Sequence, residues 1–201
     1  MNSKKYYSWV LYDWANSAYA TIVLAGFFPI IYAEYYATTI TDSERTLYLG
    51  VSNSVASIIL IFIAPIFGLL SDKFSNKKLF LFIFAALSIS STFTLSMISN
   101  DSYILASILF SISLLGFMMS NVFYDSMLLN FESDNYDAVS SMGYAFGYLG
   151  GGLAFVLSLA LLYMQGESSL DIISSKKIVF IIAGLWWTIF MIPLFLFWKE
   201  N

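Results

Sequence analysis

The sequence predicts an all-α, polytopic membrane protein with six transmembrane helices, and three observations carry that expectation. The first is composition: the chain is 59% hydrophobic and 19% aromatic, and only 11% charged. An ordinary soluble domain carries about 25% charged residues, so this much apolar surface needs a solvent other than water. The second is the placement of charge. All 9 basic and 13 acidic residues fall outside six windows, 14–33, 46–71, 79–99, 102–124, 138–166 and 178–198. About 20 apolar residues cross a hydrocarbon core roughly 30 Å thick. One charge at the middle of such a helix costs roughly 2.5–3.5 kcal/mol on insertion scales, so charge-free runs of this length are what a bilayer demands. The third is proline. Pro29, Pro65 and Pro193 all lie inside these windows, where membrane helices accept them because neighbouring groups satisfy the freed carbonyls.

The elements follow in order as one transmembrane domain over 1–201, with helices expected at about 10–35, 46–71, 79–99, 102–127, 138–164 and 178–198. Tyr6, Tyr7, Trp9 and Trp14 flank the first helix as an aromatic belt would. That helix runs straight into Glu34-Tyr35-Tyr36 without a small-residue cleavage pattern, so it reads as a retained span. Residues 72–78 join the second helix to the third, and little more than Asn100-Asp101 joins the third to the fourth. An acidic connection (Glu132, Asp134, Asp137) precedes the fifth helix, where Gly143, Gly147 and Gly151 recur at four-residue spacing. Small residues on one face let helix backbones approach, so helix packing is the expected role of these glycines. Tyr163 and Trp198 sit near helix ends as further belt residues, whereas Trp186 and Trp187 lie mid-helix and are expected to pack.

With the N-terminus inside, the cytoplasmic segments carry Lys4, Lys5, Lys73, Lys77, Lys78 and Lys199, and the outer loops carry Arg45, Lys176 and Lys177. This asymmetry places both termini in the cytoplasm. The chain has no Cys and no His, which removes thiol chemistry, the commonest zinc ligand and the usual general base. No catalytic residue, metal site or cofactor is therefore expected, and an intramembrane enzyme built on Asp13 and Asp125 is a poor third reading. A net charge of −4 argues against nucleic-acid partners.

Polar residues at membrane depth are expected to face a cavity or one another. On the first helix Trp9, Asp13 and Asn16 share a face, being four and three residues apart. On the fourth, Asn121 and Asp125 are four apart, with Ser120 and Tyr124 beside them. Together with Tyr144 on the fifth helix, Asp13, Asn16, Asn121, Tyr124 and Asp125 are the candidate path for a substrate or a coupling proton. The alternative is that the aspartates snorkel or cap helix ends in the headgroup zone, which suits Asp13 at a helix N-terminus.

The connection after the second helix reads Gly68-Leu69-Leu70-Ser71-Asp72-Lys73-Phe74-Ser75-Asn76-Lys77-Lys78. It resembles the signature loop of the major facilitator superfamily at Gly68, Asp72, Lys73 and Lys77, and departs from it at Ser75 and Asn76, where Gly and a basic residue are usual. The resemblance implies a conformational latch, with the Asp facing a helix N-terminus of a second half; the plain alternative is a solvated turn obeying the positive-inside rule. Two further stretches are similar to the vacuole-effluxer family of that superfamily, which includes an autophagy-linked amino-acid exporter. They are Trp9-Val10-Leu11-Tyr12-Asp13-Trp14-Ala15-Asn16-Ser17-Ala18-Tyr19 with Phe27-Phe28-Pro29, and Val122-Phe123-Tyr124-Asp125-Ser126 followed by Ser140 to Gly152. Leu129-Asn130 and the acidic residues after it depart from the family pattern, and Tyr148 stands where superfamily exporters carry a Pro.

The resemblance implies half of a major facilitator bundle, with helices one and four lining a central path and the halves rocking in alternating access. The implied cargo is a small polar solute, amino acids first, and the implied surroundings are a lipid bilayer, the plasma (inner) membrane if bacterial. The missing half is expected from the same gene or from a second copy of this chain. The rival is a non-transporting membrane scaffold that binds a partner protein.

Overall fold

In the computed structural model, residues 3–132, 135–165 and 176–200 are described, and within them every regular element is helical. Six helices are long and apolar enough to cross a membrane. They are α1 (Ser3–Tyr36), α2 (Asp42–Phe74), α3 (Lys77–Leu95), α4 (Tyr103–Asn130), α5 (Tyr136–Gln165) and α6 (Ile178–Phe197). Asp134 and residues 166–175 of the last connection lie outside the described residues.

Most helices outrun the charge-free windows because their end turns carry charges the windows excluded. Helix α1 takes Lys4 and Lys5 into its first turns, and α2 starts at Asp42 and ends beyond Lys73. The start of α2 is a capping box: the Thr41 hydroxyl accepts from the Glu44 amide, and the Glu44 carboxylate accepts from the Thr41 amide at 2.8 Å. Helix α3 is shorter than expected, stopping at Leu95, so the connection to α4 is longer than Asn100-Asp101. Helix α1 is not uniformly α-helical: Tyr19–Phe27 and Tyr32–Tyr36 are wound as wider π turns around a single α turn at Phe28–Ile31. Pro29 has no N–H to give to the carbonyl four residues back, and just before it the Phe28 amide bonds to the Val23 carbonyl five residues back.

Helix α1 packs on α5 and α6, α4 packs on α3 and α2, and α3 also touches α6. Helices α1 and α4 face each other across large side chains rather than backbone to backbone. Trp9 stacks on Tyr124 with centroids 4.3 Å apart, and Phe28 stacks on Phe110 at 4.0 Å. A ladder of side-chain hydrogen bonds follows the same seam. Trp9 Nε1 donates to the Tyr124 carbonyl (3.1 Å) and Asn16 Nδ2 to Asn121 Oδ1 (2.5 Å). Tyr19 pairs with Ser113 (2.7 Å) and Tyr32 with Ser107 (2.8 Å). Residue numbers rise along α1 as they fall along α4, so the two helices are antiparallel. Lipid supplies no hydrophobic force between helices, so this packing and these bonds carry the association: about 0.5–1.5 kcal/mol per ring pair and about 0.6 kcal/mol per bond.

The mid-helix tryptophans of α6 join this core. Trp187 is buried among Tyr12, Tyr19 and Phe117, and Trp186 stacks on Trp14 while donating to its carbonyl at 3.2 Å. The aromatic-belt reading needs correction at two positions. Trp9 and Trp198 are 2% and 1% exposed, each held against a ring of the bundle, while Tyr7 and Tyr163 do stand outward. Helix α2 lies on the flank with only Ser52, Ala56 and Ser71 buried. A helix apolar all round must have lipid or another protein against it.

The ends of the bundle are tied by charge. At one end the N-terminus, the α2–α3 turn and the C-terminus meet: Lys5 Nζ lies 4.5 Å from the Trp198 ring centroid, and Lys78 Nζ donates to the Trp198 carbonyl at 2.9 Å. The Lys78 amide in turn donates to the Glu200 carboxylate at 2.6 Å. A carboxylate thus sits on the first turn of α3 and an ammonium on the last turn of α6, each complementing a helix dipole. At the opposite end Lys176 pairs with Glu34 at 2.6 Å, and Lys177 reaches the Tyr35 hydroxyl (3.2 Å) and the Ile98 carbonyl (3.0 Å). The lysines that run against the charge asymmetry are therefore matched by acidic or carbonyl groups.

Candidate functional site

A recess of about 160 Å³ opens between α1, α4 and α5. Helix α1 contributes Trp9 and Asp13, α4 contributes Asn121, Tyr124, Asp125 and Leu128, and α5 contributes Ser140 and Tyr144. The polar residues singled out in the sequence are thus brought together: five line the recess, and Asn16 stands behind it, bonded to Asn121. Helical spacing on α1 and α4 made the pairing within each helix legible. Ser140 and Leu128 were missed, although Ser140 lies one helical turn before Tyr144 and the same spacing argument reaches it.

The two carboxylates line the same recess from different helices. Asp13 is half-buried against α5, and Asp125 is exposed, with no hydrogen bond or ion pair among the described residues. The Tyr124 hydroxyl is buried without a partner among the described residues. The ion pairs Arg45–Asp42, Lys77–Asp72 and Lys176–Glu34 lie outside the recess, and among the described residues neither recess carboxylate has a cation partner.

The glycines of α5 make this geometry possible. A Cβ on Gly143 would lie 2.8 Å from the Trp9 ring and 3.0 Å from the Tyr124 hydroxyl. A Cβ on Gly147 would lie 2.9 Å from Asp13 Cγ and from Ser17 Oγ, and one on Gly151 would meet the Ser17 carbonyl at 2.9 Å. Gly150 belongs with them: its Cβ would meet the Trp14 carbonyl at 2.6 Å. At Gly151 the close approach is also a bond, since Thr21 Oγ1 donates to its carbonyl at 3.0 Å.

A larger groove of about 400 Å³ lies between α2 and α4, but its walls are mostly aliphatic. The hydroxyls of Ser52, Ser107 and Ser111 along it donate to backbone carbonyls of their own helices, which leaves them nothing to donate to a polar solute. The recess, unlike the groove, is lined by carboxylates.

In the loop after α2, Asp72 pairs with Lys77 at 3.7 Å, and Lys77 also reaches the Ser126 carbonyl at 3.5 Å. Lys73 stands over the adjacent Phe74 ring, and nothing approaches the Gly68 Cβ position within 4 Å. Ser75, at the position where Gly is usual, adopts a left-handed conformation with φ 48° as the C-cap of α2. The turn keeps its shape with a residue less suited to it. Lys78 and Glu200, which bind the loop to the end of α6, carry no sequence signal, because they are 122 residues apart and meet only through the fold.

Comparison with known proteins agrees with this architecture. Over 196 residues, 96% of this chain and 46% of the relative, the sequence is 33% identical to the uncharacterized MFS-type transporter YxiO of Bacillus subtilis (strain 168). An uncharacterized protein of Aquifex aeolicus (strain VF5) is 28% identical over 149 residues, 74% of this chain and 36% of the relative. The chain spans less than half the length of these relatives. No solved structure matches it significantly. The family profile described as "Vacuole effluxer Atg22 like" matches residues 36–136 and 129–201, beginning after the Trp9–Tyr19 stretch. With those segments covering most of a six-helix bundle, the chain belongs to the vacuole effluxer Atg22-like family.

Proposed function

We propose that this chain is one six-helix half of a transporter that carries a small polar solute across a membrane by alternating access, with amino acids as the leading class. The observation that carries the reading is the polar recess between α1, α4 and α5, an uncompensated acidic and aromatic cluster in a bundle otherwise built for lipid. Polar groups at that depth are costly and are kept where they serve a pathway. The second half comes from the same gene or from a second copy, and it covers the apolar flank of α2. On this reading the Gly68, Asp72, Lys73 and Lys77 loop is the latch between halves, the termini are cytoplasmic, and no step is enzymatic.

The test is flux. The chain is reconstituted in liposomes, alone and as a tandem of two copies, and radiolabelled amino acids are followed across the bilayer. Saturable movement that Asp125→Asn reduces supports transport. A chain that moves nothing in either form, while still folding and inserting, is a scaffold.

A further inference from the structure

We propose that the recess between α1, α4 and α5 receives the ammonium group of the carried solute, so that this half reads the cationic end of its cargo. The inference rests on the transport reading above and adds a charge specificity to it.

Asp13 and Asp125 enter one recess from two helices. Two carboxylates at the edge of a low-dielectric region are unfavourable as anions unless a proton or a cation joins them. Among the described residues no cation is paired with either carboxylate. No residue lining the recess is basic, and Lys77 on the neighbouring turn is engaged by Asp72 and the Ser126 carbonyl.

An independent feature points to a ligand in the same place. Tyr124 lines the recess, is 5% exposed, and its hydroxyl is buried with no partner among the described residues. A buried hydroxyl without a partner costs free energy that a bound donor recovers. An ammonium carries three such donors for two carboxylates and a phenol oxygen. The volume favours an organic group over a bare ion. About 160 Å³ holds several waters, and a dehydrated metal ion would leave most of that space filled with solvent. A carboxylate or phosphate would face two negative charges with no basic group to offset them.

The experiment uses the full chain in phosphatidylcholine nanodiscs and reads tryptophan emission, since Trp9 borders the recess. The probes are n-butylammonium and n-butyrate, with sodium and magnesium chloride as inorganic controls. Saturable binding of n-butylammonium and none of n-butyrate is expected. Asp13→Asn and Asp125→Asn should each weaken that binding roughly tenfold or more, and Asp125→Glu should recover most of it. Asp125 is exposed, so its variants carry the test alone if Asp13→Asn does not fold. No ammonium binding, equal binding of butyrate, indifference to both Asn variants, or saturation by sodium or magnesium without displacement by butylammonium would each overturn the proposal. Ammonium binding by a chain that moves no solute would sink the transport reading and leave this site standing. Flux that survives both Asn variants would do the reverse.

Discussion

Gly150 and Gly152 are separated by one residue in the same helix, yet alanine should act on them in opposite directions. At Gly152 an added Cβ meets nothing within 4 Å. The substitution then keeps only the helix-propensity gain, about 0.8–1 kcal/mol. At Gly150 the Cβ would lie 2.6 Å from the Trp14 carbonyl and 2.7 Å from two atoms of its ring. Carbon contacts settle at roughly 3.5–4.0 Å, so α1 and α5 must separate by about 0.8 Å or more along that line. The ring cannot swing clear, because it stacks on Trp186, and the carbonyl is fixed both by the helix and by Trp186 Nε1 at 3.2 Å. Overpacking of this kind costs about 1–3 kcal/mol, which exceeds or cancels the propensity gain. The two variants should therefore differ by roughly 1–3 kcal/mol in favour of Gly152→Ala. Unfolding in mixed micelles by added SDS, followed by tryptophan emission, measures both against wild type. Equal midpoints for the two variants would refute the reasoning, because they would mean that α5 does not meet α1 through Gly150.

Two further substitutions probe the membrane-end contacts. Ser75→Gly should stabilise the chain by about 1 kcal/mol, since φ 48° penalises a Cβ that glycine lacks; a lower SDS midpoint than wild type would count against that conformation. Lys78→Met keeps the apolar stem and removes the donors to the Phe195 and Trp198 carbonyls, so a loss of about 0.5–2 kcal/mol is expected. Hydrogen exchange confined to the last turn of α6 locates that effect, and unchanged exchange there would exclude the cap.

The candidate site was legible wherever one helix determines which residues share a face. Trp9, Asp13 and Asn16 on α1, and Asn121 and Asp125 on α4, are fixed by a period of about 3.6 residues per turn, and both sets do face the same seam. The glycine stripe was readable for the same reason. Legibility failed where a property belongs to two elements at once. Trp9 and Trp198 look like interface anchors in sequence because they sit near helix ends, and only the rings of Tyr124 and Phe131 show that they are enclosed.

The sequence by itself determined that the chain lives in a bilayer, that it crosses it with six helices, and which face of each polar helix carries the aspartates. Those properties follow from transfer free energy and helical period, which act within a single segment. Only the tertiary structure decided that Asp13 and Asp125 share one recess, that Gly147 yields the space for a carboxylate, and that Lys78 closes the end of α6. These contacts join residues more than a hundred positions apart. Their distances are set by side-chain packing between helices, for which lipid, as apolar as the side chains themselves, leaves no pattern in a linear sequence.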